Sequence, residues 1–449
     1  LYGIKEDEKN TGIDFLSKQK NITCLKCLRT NSRRYNFAYS YLFDVAFKEN
    51  SMKNEIIGKY YAHAIMNENN ESFNGIRFRA KILNYFYHPE ESICGNNSLN
   101  EDGSKIIEIK KFDDKTISGT GKLLNENVDM IFSIVTPGGY DISTESLGNV
   151  YTIFQINFKN KIKVTDTLKF VEIVKKVFSF TFHIRNIFFE KITLLDYNNE
   201  KYYPIGSLVI NENYNAMLKF NYFKFPNLLN FKNNFFNLFE FFSDDDNNNL
   251  LILPMDINDE FEITPQKYVV LAGTFENIVD KYYKNEFKNS FELTTVLSFI
   301  NEFIDKKDEE FFEKNKKIRD ELKYIKKNLE NLTTSAKEKF LFIFNKYNSN
   351  LIPFIENLEK RYEIQLSIKE EISINNDNVQ VVDINDIARD FCNQRNCFAH
   401  GSYKICDTNS IIGYEITRIL IYIIILKKCN FNDEEIEKII NPLFYYLKA

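Results

Sequence analysis
The sequence predicts an α+β protein, with a β-rich domain over residues 1–280 and an all-α helical bundle over 285–449. Three observations lead there. Up to residue 280 the chain holds short β-branched or alternating runs bounded by Asn, Gly and Pro, the punctuation of strands and turns. From 285 onward apolar residues recur every three or four positions, the period of amphipathic helices. A chain of 449 residues also exceeds what one ordinary core organises, so two domains are expected.

The strand candidates are IIEIKKF (106–112), VDMIFSIVTPGG (128–139), VYTIFQINF (150–158) and YVVLAGTFE (268–276). One helix interrupts them over 167–178, where Leu168, Val171, Val174 and Val177 repeat at helical spacing. SGTGKL (118–123) carries Thr116 and Leu123 where a phosphate loop needs Gly and Ser or Thr, so it reads as a hairpin turn. His183, in the aromatic run FSFTFHIRNIFF, is expected to pack in the core, and SDDDNNN (243–249) is a solvated loop. In the second half, helices are expected over 291–305, 308–332, 335–347, 383–401, 411–426 and 431–448, with Asn432 or Asp433 capping the last. They compose a bundle without strands.

Apolar residues make up 44% and charged ones 27%, the balance of a soluble globular chain. A net charge of -5 excludes broad electrostatic attraction to nucleic acid, so RNA contact requires a local basic patch. EKNKKIRDELKYIKKN (313–328) is the candidate, although a charge run of this kind is ordinarily a solvated helix face. Seven cysteines, an odd number without framework spacing, argue for reduced thiols and a cytoplasmic home. Cys24 and Cys27 form one CxxC with no second pair to complete a zinc site, so neither metal nor cofactor is expected. The polar start LYGIKEDEKN shows no signal peptide, and the apolar run 411–426 contains Glu415 and Arg418, so no membrane role is expected. No GxSxG elbow, HExxH pair or paired-carboxylate motif is present.

Chemistry concentrates in DINDIARDFCNQRNCFAHG (383–401). As a helix starting at Asp383, it aligns Ile384, Ile387, Ala388, Phe391, Arg395 and Phe398 along one stripe. Arg395 is the anomaly there, because a guanidinium among apolar residues needs a counter-charge or a phosphate. His400 follows five residues later, about 140° further round a straight helix. The two share a face only if the helix bends or ends between them, as Gly401 suggests, or if a second copy completes the pair. On residues alone, a carboxylate partner for Arg395 and a capping role for His400 fit equally well. Arg389 and Tyr403 flank the segment and read as surface residues, while Cys392, Cys397 and Cys406 read as packing.

Arg395, Asn396, three further residues and His400 resemble the R-N-x-x-x-H signature of the HEPN superfamily. A β-rich region followed by helices ending in RNCFAHGSY more closely resembles the ApeA-like HEPN proteins of bacterial antiphage defence, over 285–449 and in general texture before it. The resemblance implies a metal-independent endoribonuclease whose homodimer, formed through the HEPN helices, joins two motifs in one cleft. Arg395, Asn396 and His400 would then be catalytic, with Asn396 positioning the phosphate or the motif's backbone. An imidazole, ordinarily titrating at about 6.5, suits acid and base roles at a ribose 2′-hydroxyl and a departing 5′-oxygen. A guanidinium suits charge building on phosphorus. The implied partners are an RNA substrate, plausibly tRNA or another structured RNA, and a phage-derived trigger sensed by the N-terminal domain. The competing expectation is a non-catalytic helical dimerisation or nucleotide/RNA-binding module. The two differ in whether RNA cleavage requires His400.

Overall fold
A computed structural model describes residues 19–29, 38–50, 55–59, 62–67, 70–94, 108–109, 115–135, 150–184, 187–210, 225–244, 247, 263–287, 298–304, 315–330, 335–367, 380–402 and 405–444. They form an α+β protein that divides into two compact units. The first comprises Leu1–Leu250, Pro254–Glu260 and Leu426–Leu443, and the second Leu251–Leu253, Phe261–Ile425 and Phe444–Ala449.

The first unit contains strands β1 (Gln19–Arg29), β2 (Ala38–Asn50), β3 (Glu55–Lys59), β4 (Ala62–Met66), β5 (Ser72–Arg79), β6 (Ile93–Cys94), β7 (Glu108–Ile109), β8 (Thr116–Leu123), β9 (Glu126–Val135), β10 (Tyr151–Lys163), β11 (Lys191–Asn198) and β12 (Lys201–Ile210). Its helices are α1 (Leu83–Phe86), α2 (Thr167–Phe182), α3 (Leu228–Phe231) and α4 (Asn237–Ser243). Ten strands make one antiparallel sheet in the order β1-β2-β4-β12-β11-β5-β10-β9-β8, with β3 also paired to β2. Two-residue turns close β8–β9 at Leu124–Asn125 and β11–β12 at Asn199–Glu200, all four residues having positive φ. That is the primed-turn geometry whose twist matches a hairpin, and Asn accepts it readily.

Alternation along β9 sends Val128, Met130, Phe132 and Ile134 into the core and leaves Asn127 and Asp129 outside. Helix α2 lies on that apolar face, where Phe178 meets Phe132 and Phe154 edge-on at centroid distances of 6.2 and 5.5 Å. Segment 118–123 lies on strand β8 rather than in a turn; the turn follows it. Its glycine has a packing reason, since a Cβ at Gly119 would stand 2.1 Å from the Phe236 ring. His183 is buried at the left-handed C-terminus of α2, as expected of a core residue. Cys24 and Cys27 stand three positions apart in the unbroken β1–β2 register.

The second unit holds helices α5 (Pro265–Phe287), α6 (298–304), α7 (Lys316–Glu330), α8 (Ala336–Lys346), α9 (Asn348–Tyr362), α10 (Ile384–Ala399) and most of α11 (Thr408–Lys428), with strands β13 (Ile364–Ser367) and β14 (Gln380–Asp383) between α9 and α10. The last helix, α12 (Asp433–Leu443), falls in the first unit, where Asn432 caps it and Glu435 pairs with Lys232 at 3.1 Å.

Four further expectations differ from the structure. Residues 268–276 are helical, not a strand: Tyr268, Leu271, Ala272, Phe275, Ile278 and Val279 are all buried at three- and four-residue spacing, and this packing overrides the β-propensity of Val269 and Val270. The contact boundary therefore falls near 261 rather than at 280–285, and α5 belongs with the helices. The final helix sorts with the sheet-bearing unit instead of completing the bundle. The helical unit also contains a parallel two-stranded pair, β13–β14. Segments 243–249, 291–305 and 308–332 lie partly, and Tyr403 wholly, outside the described residues.

Candidate functional site
Helix α10 begins where Asp383 accepts a 2.8 Å hydrogen bond from the Asn385 N–H, a side-chain N-cap that stabilises by about 1 kcal/mol. Its inner stripe, Ile384, Ile387, Ala388 and Phe391, is buried as the spacing predicts, and Gln394 joins it. Tyr268 of α5 holds this helix to the next. Its ring lies 5.3 Å from Phe391 and 5.5 Å from Phe398, and its hydroxyl donates to the Ser410 carbonyl at 3.0 Å. Burial, first of all, raises the Tyr268 pKa well above the ordinary phenol range, so the hydroxyl stays a donor.

Helices α10 and α11 touch through Gly413, where an added Cβ would stand 2.7 Å from the Phe391 Cβ. Gly413→Ala should therefore destabilise by roughly 1–3 kcal/mol despite alanine's better helix propensity. A urea titration showing an unchanged or higher midpoint would disprove this close approach.

The helix ends in a Schellman turn. The Ser402 N–H reaches the Cys397 carbonyl at 2.8 Å, the Gly401 N–H reaches the Phe398 carbonyl at 3.1 Å, and Gly401 has φ +76°. His400 is the C-cap residue, and its own N–H is bonded to the Asn396 carbonyl at 3.0 Å. Its main chain is thus held firmly, while its imidazole is exposed and makes no side-chain hydrogen bond among the described residues. Asn396 and Asn393, four and seven residues earlier, are also exposed, so the three share one polar face.

Arg395 lies elsewhere on the helix. Its guanidinium forms an ion pair with Glu276 of α5 and donates to the Asn396 Oδ1 at 2.8 Å. The helix runs unbroken from Arg395 to Ala399, so the roughly 140° between Arg395 and His400 persists. One copy brings Asn396 and His400 to a common face, and the Arg395 guanidinium reaches that face only through its bond to the Asn396 side chain. Arg389 is occupied by Asp386 at 2.8 Å and Asp390 at 3.1 Å.

Glu276 lies in a segment whose local β-propensity predicts a strand, which hides it as a partner for Arg395. The helical spacing of Tyr268, Leu271, Ala272 and Phe275 was the signal that places it beside a core-facing stripe. The apolar helix after the motif is α11; its residues 412–426 are buried within the chain. It is the one described helix long and apolar enough to cross a membrane.

The thiol of Cys392 is pushed up to about 11, first by burial and then by Glu276. A thiol in that state is protonated at neutral pH and a poor nucleophile. Native labelling with iodoacetamide at pH 8, read by mass spectrometry, should leave Cys392 protected by about a hundredfold relative to the urea-unfolded chain, with labelling rising toward pH 11. Rapid labelling at pH 8 would contradict its placement. Among the described residues, no group of three or more His, Cys, Asp or Glu is placed to hold a metal.

Compared with protein families, curated proteins and solved structures, the chain matches none of them.

Proposed function
We propose that the chain is a metal-independent endoribonuclease of the HEPN type that acts as a homodimer. The observation that carries this reading is the end of α10, where an exposed imidazole on a rigid helix cap shares a polar face with Asn396. One His400 removes the proton of a ribose 2′-hydroxyl, and the 2′-oxygen attacks the adjacent phosphorus. The bond to the 5′-oxygen breaks, and that oxygen takes its proton from the imidazole of the second copy. The products are a 2′,3′-cyclic phosphate and a 5′-hydroxyl. Arg395, held by Glu276 and Asn396 through two of its N–H groups, keeps further donors for charge developing on the phosphoryl oxygens. The dimer in this reading follows from the chemistry, because a second copy supplies the second imidazole that acid and base roles require.

The proposed substrate is cellular RNA, tRNA or another structured RNA, cleaved in the cytoplasm during abortive infection. The first unit would sense the phage-derived trigger. The exposed Lys317 and Lys323 of α7 would supply phosphate contacts in this scheme. The test is incubation of the purified protein with tRNA and with single-stranded RNA in excess EDTA, followed by mapping of the ends. Cyclic-phosphate ends from the wild type support the reading; cleavage that EDTA abolishes would sink it.

A second reading rests on the Arg395–Glu276 ion pair, which satisfies the guanidinium without any ligand. Under it the helices form a non-catalytic dimerisation or nucleotide/RNA-binding module. Glu276→Gln and Arg395→Gln would then cost the same stability, and neither would change RNA ends.

A further inference from the structure
The sheet of the first unit has two faces, and among the described residues the aromatic core covers one, while the other carries polar residues that include the buried Gln155, Asn157 and Thr193. On the other face, cross-strand pairing puts Arg77 of β5 beside Gln155 of β10 and Thr193 of β11, while Arg79 is beside Lys191. Residues two apart on a strand share a face about 6.7 Å apart, and directly paired residues lie about 5 Å apart. Three cations thus occupy neighbouring positions on one surface.

Their partners are few. Arg77 is half-buried at the centre of the sheet, and among the described residues it donates only from Nε, to the Gln155 Oε1 at 2.8 Å. Gln155 is committed in turn, since its amide donates to the Asn157 Oδ1 at 2.7 Å. No described carboxylate pairs with Arg77, and no described acceptor meets either of its Nη atoms. Burial is the leading influence on this guanidinium and lowers its pKa, with Tyr151 acting in the opposite direction. Such a placement is costly unless an anion completes it. Arg79 stacks on the Tyr151 ring, with its guanidinium carbon 4.0 Å from the centroid. Arg79 is also ion-paired with Glu190 at 3.7 Å, so the three cations share one described carboxylate. Lys191 is exposed, with no partner among the described residues.

We infer that this face of the sheet binds a small molecule bearing a polyphosphate, anchored by the Nη atoms of Arg77 and flanked by Arg79 and Lys191. Three cations exceed what a single carboxylate needs and suit adjacent phosphates, and a guanidinium fork matches phosphate oxygens geometrically. This site stands apart from α10, and its test reads binding alone, so it does not depend on the ribonuclease reading.

The experiment is isothermal titration of the full chain with ATP, ADP and inorganic phosphate, repeated with Arg77→Gln and with Lys191→Ala. ATP or ADP should bind more tightly than inorganic phosphate. Arg77→Gln should weaken that binding about tenfold or more, and Lys191→Ala about threefold. Lys191 is exposed, so its replacement leaves the fold intact and decides the matter if Arg77→Gln does not fold. The proposal is overturned if none of the three ligands binds the wild type, or if Lys191→Ala and a folded Arg77→Gln bind as the wild type does. Binding of an RNA oligonucleotide through these residues without any response to ATP or ADP would equally overturn it.

Discussion

His400→Ala should lower the single-turnover rate of RNA cleavage by about 10²–10⁴-fold, the usual contribution of a positioned acid or base. In the proposed homodimer each copy contributes one imidazole, so the variant would lose the base and the acid together. The fold should survive, because the side chain is exposed and makes no hydrogen bond among the described residues. Its thermal stability should stay within about 0.5 kcal/mol of the wild type. The main-chain bonds of the helix cap involve the His400 N–H and the residues around it, and alanine keeps them. A chain that remains folded, still dimerises and no longer yields cyclic-phosphate ends would assign the chemistry to this imidazole. Undiminished cleavage, or undiminished toxicity on overexpression, would remove the ribonuclease reading's main support. Arg395→Ala is a less clean probe, since it also strands the Glu276 carboxylate against α10.

Phe132→Ala should destabilise the first unit by about 3–5 kcal/mol, the usual cost of emptying an aromatic core position. The Phe132 ring is completely buried on β9. It lies 4.6 Å from Phe154, 5.5 Å from Phe235 and 5.6 Å from Phe86, between centroids. Those rings come from a strand, a helix end and a loop-borne helical turn, so no single neighbour can move to fill the void. The urea midpoint should fall while the slope of the transition stays the same, which marks lost packing rather than a changed unfolded state. Phe132→Leu, closer in volume, should cost less than about 1.5 kcal/mol. A loss below 1 kcal/mol for the alanine variant would mean that the aromatic layer repacks freely.

Several features were legible in the sequence because they depend on neighbours within a few residues. The alternation of Val128, Met130, Phe132 and Ile134 marks a half-buried strand, and β9 is one. The caps at Asp383 and Asn432 and the stop at Gly401 mark helix ends, and α10 and α12 begin and end there. The anomaly at Arg395 was also visible, although its partner was not.

What only the tertiary structure decided involves residues far apart in the chain. Val269 and Val270 favour a strand locally, yet α5 is helical because its opposite side buries Tyr268, Leu271 and Phe275. Glu276 meets Arg395 across 119 residues. The last helix sorts with the sheet-bearing unit, where Glu435 meets Lys232. Arg77 in SFNGIRFR looks like an ordinary outward residue of an alternating strand. Only the register of β10 and β11 shows it half-buried with no described carboxylate beside it. The physical reason is common to all four. Propensity, period and capping act over about one turn or one hairpin, whereas burial and charge pairing depend on which distant segments come together.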